Sequence, residues 1–354
     1  MGQKDLIKKH ASNFQTFIGL KQMEREVQDS EETLQILSEE GAINNTDVEI
    51  EESNIVVGET IFGMESLGEI KVTREKKTKP RDKDKHSRAQ TVVETKFPNQ
   101  LTLKQQLSLG YGFISGCCTM PNGFMVFCNS AFNIVKILEN NGSQKSGFSF
   151  LGLHVDDVTL INENHIAVSH PESETISIID IKGSKVIKTL PATTRSEISG
   201  ITHSNGHIFF CVPLKGIMKI NIETEKVDKV RDDKNVDCHS RIDTDGNRTC
   251  YTSFYKHTVT VIDSEYNVIF TFEDGNLLLQ PISLSMDQHQ NMFVCSCGNS
   301  KSHVLILSKD GDKCVILAGK DDGLINPVSL HHNKYNKEVI VIDEQREVRI
   351  FSIK

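Results

Sequence analysis

Residues 201–227, ITHSNGHIFFCVPLKGIMKINIETEKV, carry two short apolar runs, HIFFCVP and IMKIN, separated by a loop. Ser204-Asn205-Gly206 precedes the first run and the polar Glu223-Thr224-Glu225 follows the second. The pattern predicts a β-hairpin. A lone hairpin is not stable in water, so this one needs neighbours to pack against.

The same pattern recurs along the chain. The first run reappears as FMVFCNS (124–130), HIAVSHP (165–171), RTCYTSF (248–254), NMFVCSC (291–297) and EVIVIDE (338–344). Successive starts lie 41, 42, 41, 43 and 47 residues apart, by subtraction of those numbers. The second run keeps step as IVKIL (134–138), ISIID (176–180), IMKIN (217–221), VTVID (259–263), VLILS (304–308) and VRIFS (348–352).

A further strand-like piece precedes many of these pairs, as in SGITHSNG (199–206), HSRIDTDGN (239–247) and ISLSMDQHQ (282–290). A fourth follows most of them, as in KVIKTL (185–190), VIFTF (268–272) and CVILAG (314–319). Four short strands per unit, at a period near 42 residues, is the signature of a β-propeller blade. Helical repeats are excluded because the runs are short and rich in β-branched and aromatic residues. Asn205-Gly206, Asp245-Gly246 and Asp310-Gly311 provide tight-turn chemistry. The reading is an all-β, six-bladed propeller.

After VRIFSIK the chain stops at Lys354, which leaves the sixth unit without an outer strand. Upstream of the first unit lies an unassigned alternating segment, QLTLKQQLSLG (100–110). It is expected to fill the missing position and close the ring, because closure satisfies backbone groups that an open edge would expose.

The propeller is assigned to residues 99–354. Ahead of it, residues 1–40 are predicted to form a coiled-coil helix. Ile7, Ala11, Phe14 and Ile18 begin an apolar seam that Leu20, Met23, Val27, Leu34 and Leu37 continue after a shift near Gly19. Residues 41–73 read as a short helix or strand extension. Residues 74–98 read as a flexible basic linker, on the composition of REKKTKPRDKDKHSRAQ (74–90).

The formal net charge of −8 argues against a generic nucleic-acid binder. Met1 is not followed by an apolar signal region, and no run approaches the ~18 apolar residues of a membrane span. The nine cysteines therefore read as reduced thiols and the compartment as cytoplasmic. No membrane association is expected.

Cys117-Cys118 and Cys295-Ser296-Cys297 fall on predicted strands, where neighbours point to opposite faces, so they read as buried structural thiols. His331-His332 falls on the first strand of the sixth blade, with one ring facing the central channel. Asp243-Thr244-Asp245-Gly246-Asn247 starts like a calcium loop, but Phe254 stands where the bidentate Glu belongs, and a hairpin turn explains it. Nucleotide, zincin and hydrolase motifs do not occur. Neither a cofactor nor a catalytic residue is assigned, and a propeller hydrolase stands only as a third reading.

Taken in order, KHASNFQTFIGLKQMEREVQDSEETLQILSEEG (9–41), ESLGEIKV (65–72), SGCCTMPNGFMVFCN, GITHSNGHIFFCV, KGIMKINI, YTSFYKHTVTVID and NVIFTFED resemble tripartite-motif (TRIM) proteins. The likeness is to the invertebrate, especially molluscan, members with NHL-like C-terminal propellers. It implies a coiled coil that pairs chains and a propeller that recognises a partner. The family's RING and B-box zinc modules need clustered Cys and His, and the first cysteine here is Cys117, so ubiquitin-ligase activity is not carried over.

Propellers commonly bind through the loops between second and third strands and through the connections between blades. Candidate contact residues there are Tyr111, Phe113, Phe132, Arg195, Lys215, Phe254, Tyr255, Lys256, His257 and Arg346, because aromatics and Arg tend to anchor interfaces. The same loops hold Glu172, Glu174, Asp232, Asp233, Asp237, Asp321, Asp322 and Asp343, which disfavour a phosphate backbone. The expected function is a non-catalytic interaction scaffold. It would be the substrate-recognition part, or a RING-less regulator, of a TRIM-type ubiquitin-ligase system, with a protein partner on the loop face and homo- or hetero-dimerisation through the N-terminal helix. An RNA-binding translational regulator is the alternative.

Overall fold

The hairpin at 207–221 lies inside a four-stranded antiparallel sheet, one of six among the described residues. The computed structural model describes residues 97–192, 195–298 and 302–354. The helix expected over 1–40, the extension over 41–73 and the linker up to residue 96 lie outside the described residues.

The first strand among the described residues is β1 (Leu101–Ser108). Blade I follows with β2 (Ile114–Thr119), β3 (Met125–Asn129), β4 (Ile134–Leu138) and β5 (Gln144–Ser149). Blade II holds β6 (Val158–Leu160), β7 (His165–His170), β8 (Thr175–Asp180) and β9 (Lys185–Pro191). Blade III holds β10 (Ser199–Ser204), β11 (His207–Val212), β12 (Gly216–Asn221) and β13 (Val227–Asp232). Blade IV holds β14 (Ile242–Thr244), β15 (Thr249–Ser253), β16 (Thr258–Ile262) and β17 (Val268–Glu273). Blade V holds β18 (Pro281–Met286), β19 (Met292–Ser296), β20 (His303–Leu307) and β21 (Cys314–Ala318). Blade VI holds β22 (Pro327–Asn333), β23 (Glu338–Asp343) and β24 (Glu347–Ile353), with β1 outermost. The described residues form an all-β six-bladed propeller.

β1 pairs antiparallel with β24 from Leu101 opposite Ile353 to Ser108 opposite Glu347. Beyond the strand ends, Asn99 N–H donates to Lys354 O (3.3 Å) and Lys354 N–H to Gln100 O (3.0 Å). The two ends of the domain thus share one sheet, and the ring has no open edge between first and last blades.

The middle strands are apolar on both faces because each blade lies between two others. In β11, Ile208, Phe210 and Val212 pack into the cluster shared with blade II, with Ile176, Ile178 and Leu190. The alternate residues Phe209 and Cys211 enter the cluster shared with blade IV, with Ile242 and Tyr251. Period-two alternation therefore feeds two interfaces from one strand. Among the described residues there are six such clusters, one at each junction between neighbouring blades.

Inner strands approach closely around the axis. A Cβ at Gly116 would lie 2.9 Å from Asp157 Cα, and one at Gly200 would lie 2.6 Å from Ser240 O. Only glycine fits at these two crossings. The first-hairpin turns share a device in which a side-chain carbonyl caps the turn's N–H groups. Asn162 accepts from Asn164 and His165, Asp245 from Asn247 and Arg248, and Asp287 from His289 and Asn291. The calcium-like segment at 243–247 is thus a hairpin turn.

All nine cysteines are free thiols. Burial pushes Cys117 up to about 12 and Cys297 up to about 11, which keeps both protonated and unreactive. Among the described residues no helix is long and apolar enough to cross a membrane.

Candidate interaction face and central cavity

In an antiparallel blade, the turn between second and third strands and the connection to the next blade emerge at the same end. Backbone hydrogen bonds tie these loops together. Ser130 N–H donates to Phe113 O (2.9 Å), Phe150 N–H to Asn133 O (2.8 Å), Leu214 N–H to Val236 O (2.8 Å) and Ala192 N–H to Glu174 O (2.8 Å). The loops form a stitched ring on one face.

That face carries half of the exposed large apolar side chains among the described residues, and they concentrate at blade I. Tyr111 is 83% exposed, Phe113 42%, Phe132 55% and Leu151 94%. Asn129 holds the corner from below, donating from Nδ2 to Tyr111 O at 2.8 Å. Gly112, at φ +116°, lets the chain fold down onto that amide. The three segments that build the corner, LGYGF (109–113), SAFN (130–133) and FLGLHV (150–155), contain no Asp, Glu, Lys or Arg. The result is an uncharged, protruding apolar corner. Monomeric surfaces rarely keep such a patch without a use for it.

The candidate residues from the sequence distribute over the ring. Tyr111, Phe113 and Phe132 come together at blade I. At blade IV, Phe254 packs against Tyr255 (ring centroids 5.2 Å) and His239 (4.9 Å). Lys215 and Lys256 are exposed on the same face. Arg195 is exposed in the connection after blade II, and its N–H donates to Glu174 Oε2 at 2.6 Å. His257 is half-buried, and its Nδ1 accepts from Gln280 N–H at 2.9 Å, so the ring fixes the connection to blade V. Arg346 is half-buried and contributes its carbonyl, which accepts from Leu109 N–H at 3.1 Å.

Residues outside that set complete the surface. Leu151, Leu214 and Ile325 protrude from the same loops. Exposed aliphatics in loops have no distinctive sequence pattern, and only the blade register places them.

The acids on this face differ in burial: Glu174 and Asp233 are half-buried and accept from Arg195 N–H and Tyr251 O–H, and the other six fall at the extremes. Asp237 and Asp343 are buried. Asp237 accepts from His239 N–H, Ser253 Oγ and Tyr255 N–H, and Asp343 pairs with Arg349. Glu172, Asp232, Asp321 and Asp322 are exposed.

The ring's centre is different. Arg241, just before β14, grips Asp156, just before β6, in a bidentate pair at 2.8 and 2.9 Å. Asp157 beside it accepts from Val158 N–H (2.8 Å) and Ile201 N–H (2.9 Å). Burial raises Asp157 to about 6, with the Arg241 charge opposing. Burial works against the Arg241 charge, but Asp156 and Asp157 more than offset it and hold the guanidinium ionised.

A cavity of about 620 Å³, with Arg241 and Asp157 on its wall, is lined by the inner strands of all six blades and by first-hairpin turns such as Pro121, Asn162 and Tyr335. It opens on the face opposite the apolar corner. Both His331 and His332 line it, where the sequence pointed to one of the two. Among the described residues no group of three or more His, Cys, Asp or Glu could hold a metal ion.

No protein-family profile matches the chain, and no curated protein matches it either.

Proposed function

We propose that this propeller is a non-catalytic protein-recognition module whose docking surface is the loop face centred on blade I. The observation that carries the reading is the uncharged corner of Tyr111, Phe113, Phe132 and Leu151. Large apolar and aromatic side chains of this kind anchor protein interfaces. A phosphate backbone needs free cations there; the three corner segments carry none, and half-buried Lys136 spends its ammonium on Leu109 O (2.8 Å). The occupant would therefore be an apolar segment of another protein. With the resemblance to NHL-like propellers of TRIM proteins, the module would select substrates or regulate relatives in a ubiquitin-ligase system.

The test compares the full chain with Tyr111→Ala/Phe132→Ala/Leu151→Ser in affinity capture, with and without nuclease. Expected is a protein retained by the parent chain, retained after nuclease, lost in the triple variant and kept by Ile187→Ser on an outer strand. Capture that is unchanged in the triple variant, or that depends on RNA and falls steeply with salt, would overturn the proposal.

A further inference from the structure

The apolar corner at blade I stands between two loop segments that specific contacts hold against it. On the blade II side, the His170 ring packs on Phe150 (centroids 4.8 Å apart), and its Nδ1 lies 2.8 Å from His154 O. The β7–β8 turn, residues 171–174, is thereby set beside FLGLHV (150–155). On the blade VI side, Leu109 N–H donates to Arg346 O (3.1 Å), which sets the β23–β24 turn beside LGYGF (109–113). Glu344 N–H donates in turn to Asn326 O (3.0 Å) and brings in the connection 319–326, with its exposed Ile325.

Both flanks are acidic. The blade II turn carries exposed Glu172 and half-buried Glu174. The blade VI side carries exposed Asp321, Asp322 and Glu344 and half-buried Glu347. Against these six carboxylates stand two cations, exposed Lys320 and half-buried Arg346. Farther out, Arg195 and Glu197, both exposed, offset one another. The donors that orient Asp322, Glu344 and Glu347 are neutral amides: Gly319 N–H (2.9 Å), Asn326 Nδ2 (2.8 Å) and Gln106 Nε2 (3.0 Å). They hold the carboxylates in place and leave their charge uncancelled.

An apolar centre with a charged rim on two sides does more than bury area. Rim charges steer a complementary partner in and repel one of like sign, so they set specificity more than affinity. An apolar segment flanked by Asp or Glu would meet repulsion at both ends of this corner.

We infer that the corner's partner is a peptide segment whose aromatic or aliphatic anchors are flanked on both sides by Lys or Arg. This rests on the docking face proposed above and adds the charge of its occupant. The anchors lie against Tyr111, Phe132 and Leu151. The cations at the two ends meet Glu172 on one side and Asp321 and Glu344 on the other.

Selection from a displayed library of random peptides over the full chain tests both parts. Expected are retained sequences that pair apolar anchors with Lys or Arg on either side, and that Tyr111→Ala/Phe132→Ala/Leu151→Ser fails to retain. In calorimetry, a retained peptide should bind Glu172→Gln/Asp321→Asn/Glu344→Gln about tenfold more weakly, with a shallower salt dependence. All three positions are exposed, and Glu344→Gln keeps an acceptor for Asn326 Nδ2. Exchanging the peptide's Lys and Arg for Gln should give a similar loss on the parent chain, a readout that needs no variant. Retained peptides rich in Asp and Glu, or with no excess of Lys and Arg, would overturn this inference and leave the docking face standing. So would affinity indifferent to the neutralised acids. Peptides that the corner variant also retains, or no retained peptide at all, would sink the docking face and this inference with it. A corner that instead pairs with a second copy of the chain, or binds phosphatidylcholine vesicles, would do the same.

Discussion

Arg241 and Asp156 are separated by 85 residues, yet the guanidinium holds both carboxylate oxygens at 2.8 and 2.9 Å. Blade III lies between the blades they precede, so the pair spans the axis rather than one seam. It ties non-adjacent blades where apolar packing cannot reach, since every core cluster joins immediate neighbours. Removing the cation leaves Asp156 and the buried Asp157 uncompensated. Arg241→Met is expected to cost about 3–5 kcal/mol in urea unfolding. Adding Asp156→Asn should recover part of that loss. A cost below about 1 kcal/mol would mean the pair is solvated and holds nothing together.

Ring closure gives a second expectation. Deleting residues 97–108 from the chain strips β24 of its partner and opens the groups paired from Ile353 to Glu347. It also uncovers Val348 and Ile350, which sit in the cluster between blades VI and I. The truncated chain should unfold at lower denaturant and self-associate through the bare edge, as read by light scattering. A monomer with the parent midpoint would show that β1 contributes nothing.

The blades were legible because strands sandwiched between neighbours are continuously apolar, as HIFFCV and EVIVID are, and because the turns repeat. β1 could be placed because its alternation had no partner within blade I. The cavity was not legible in the same way. Arg241, Asp156 and Asp243 are charged residues in short, weakly apolar segments, and β6 and β14 are only three residues each. Their roles come from convergence about an axis, which no linear spacing encodes. His257 illustrates the same limit. Its loop position suggested a contact residue, but its ring accepts from Gln280 across 23 residues.

The blade I corner should be dispensable for folding. Tyr111→Ala, Phe132→Ala and Leu151→Ala are each expected within about 0.5 kcal/mol of the parent, because exposed side chains lose little on truncation. Phe127→Ala, fully buried directly beneath in β3, should cost about 3–5 kcal/mol. Comparable losses at Tyr111 or Leu151 would make the corner part of the core rather than a surface.

His331 sets a pH dependence with a definite sign. Its Nε2 lies 3.0 Å from Thr119 Oγ1 at the seam of blades VI and I. Burial in the cavity wall, with His332 and Lys334 adding repulsion, lowers its pKa from 6.5 to about 3. A base depressed in the fold stays neutral there while the unfolded chain takes up a proton below 6.5. The stability tied to His331 is therefore present above pH 6.5 and lost as pH falls towards 3. Between pH 7.5 and 5.0 that loss amounts to about 2 kcal/mol. Asp157 works oppositely, because its raised pKa of about 6 stabilises the fold as pH drops through that value. That opposing contribution is common to the parent and to His331→Gln, so it cancels in their difference. Chemical denaturation of both chains across this range should give a parent slope steeper by about 2 kcal/mol in total. Parallel curves would mean that His331 takes up protons in the fold as readily as in water.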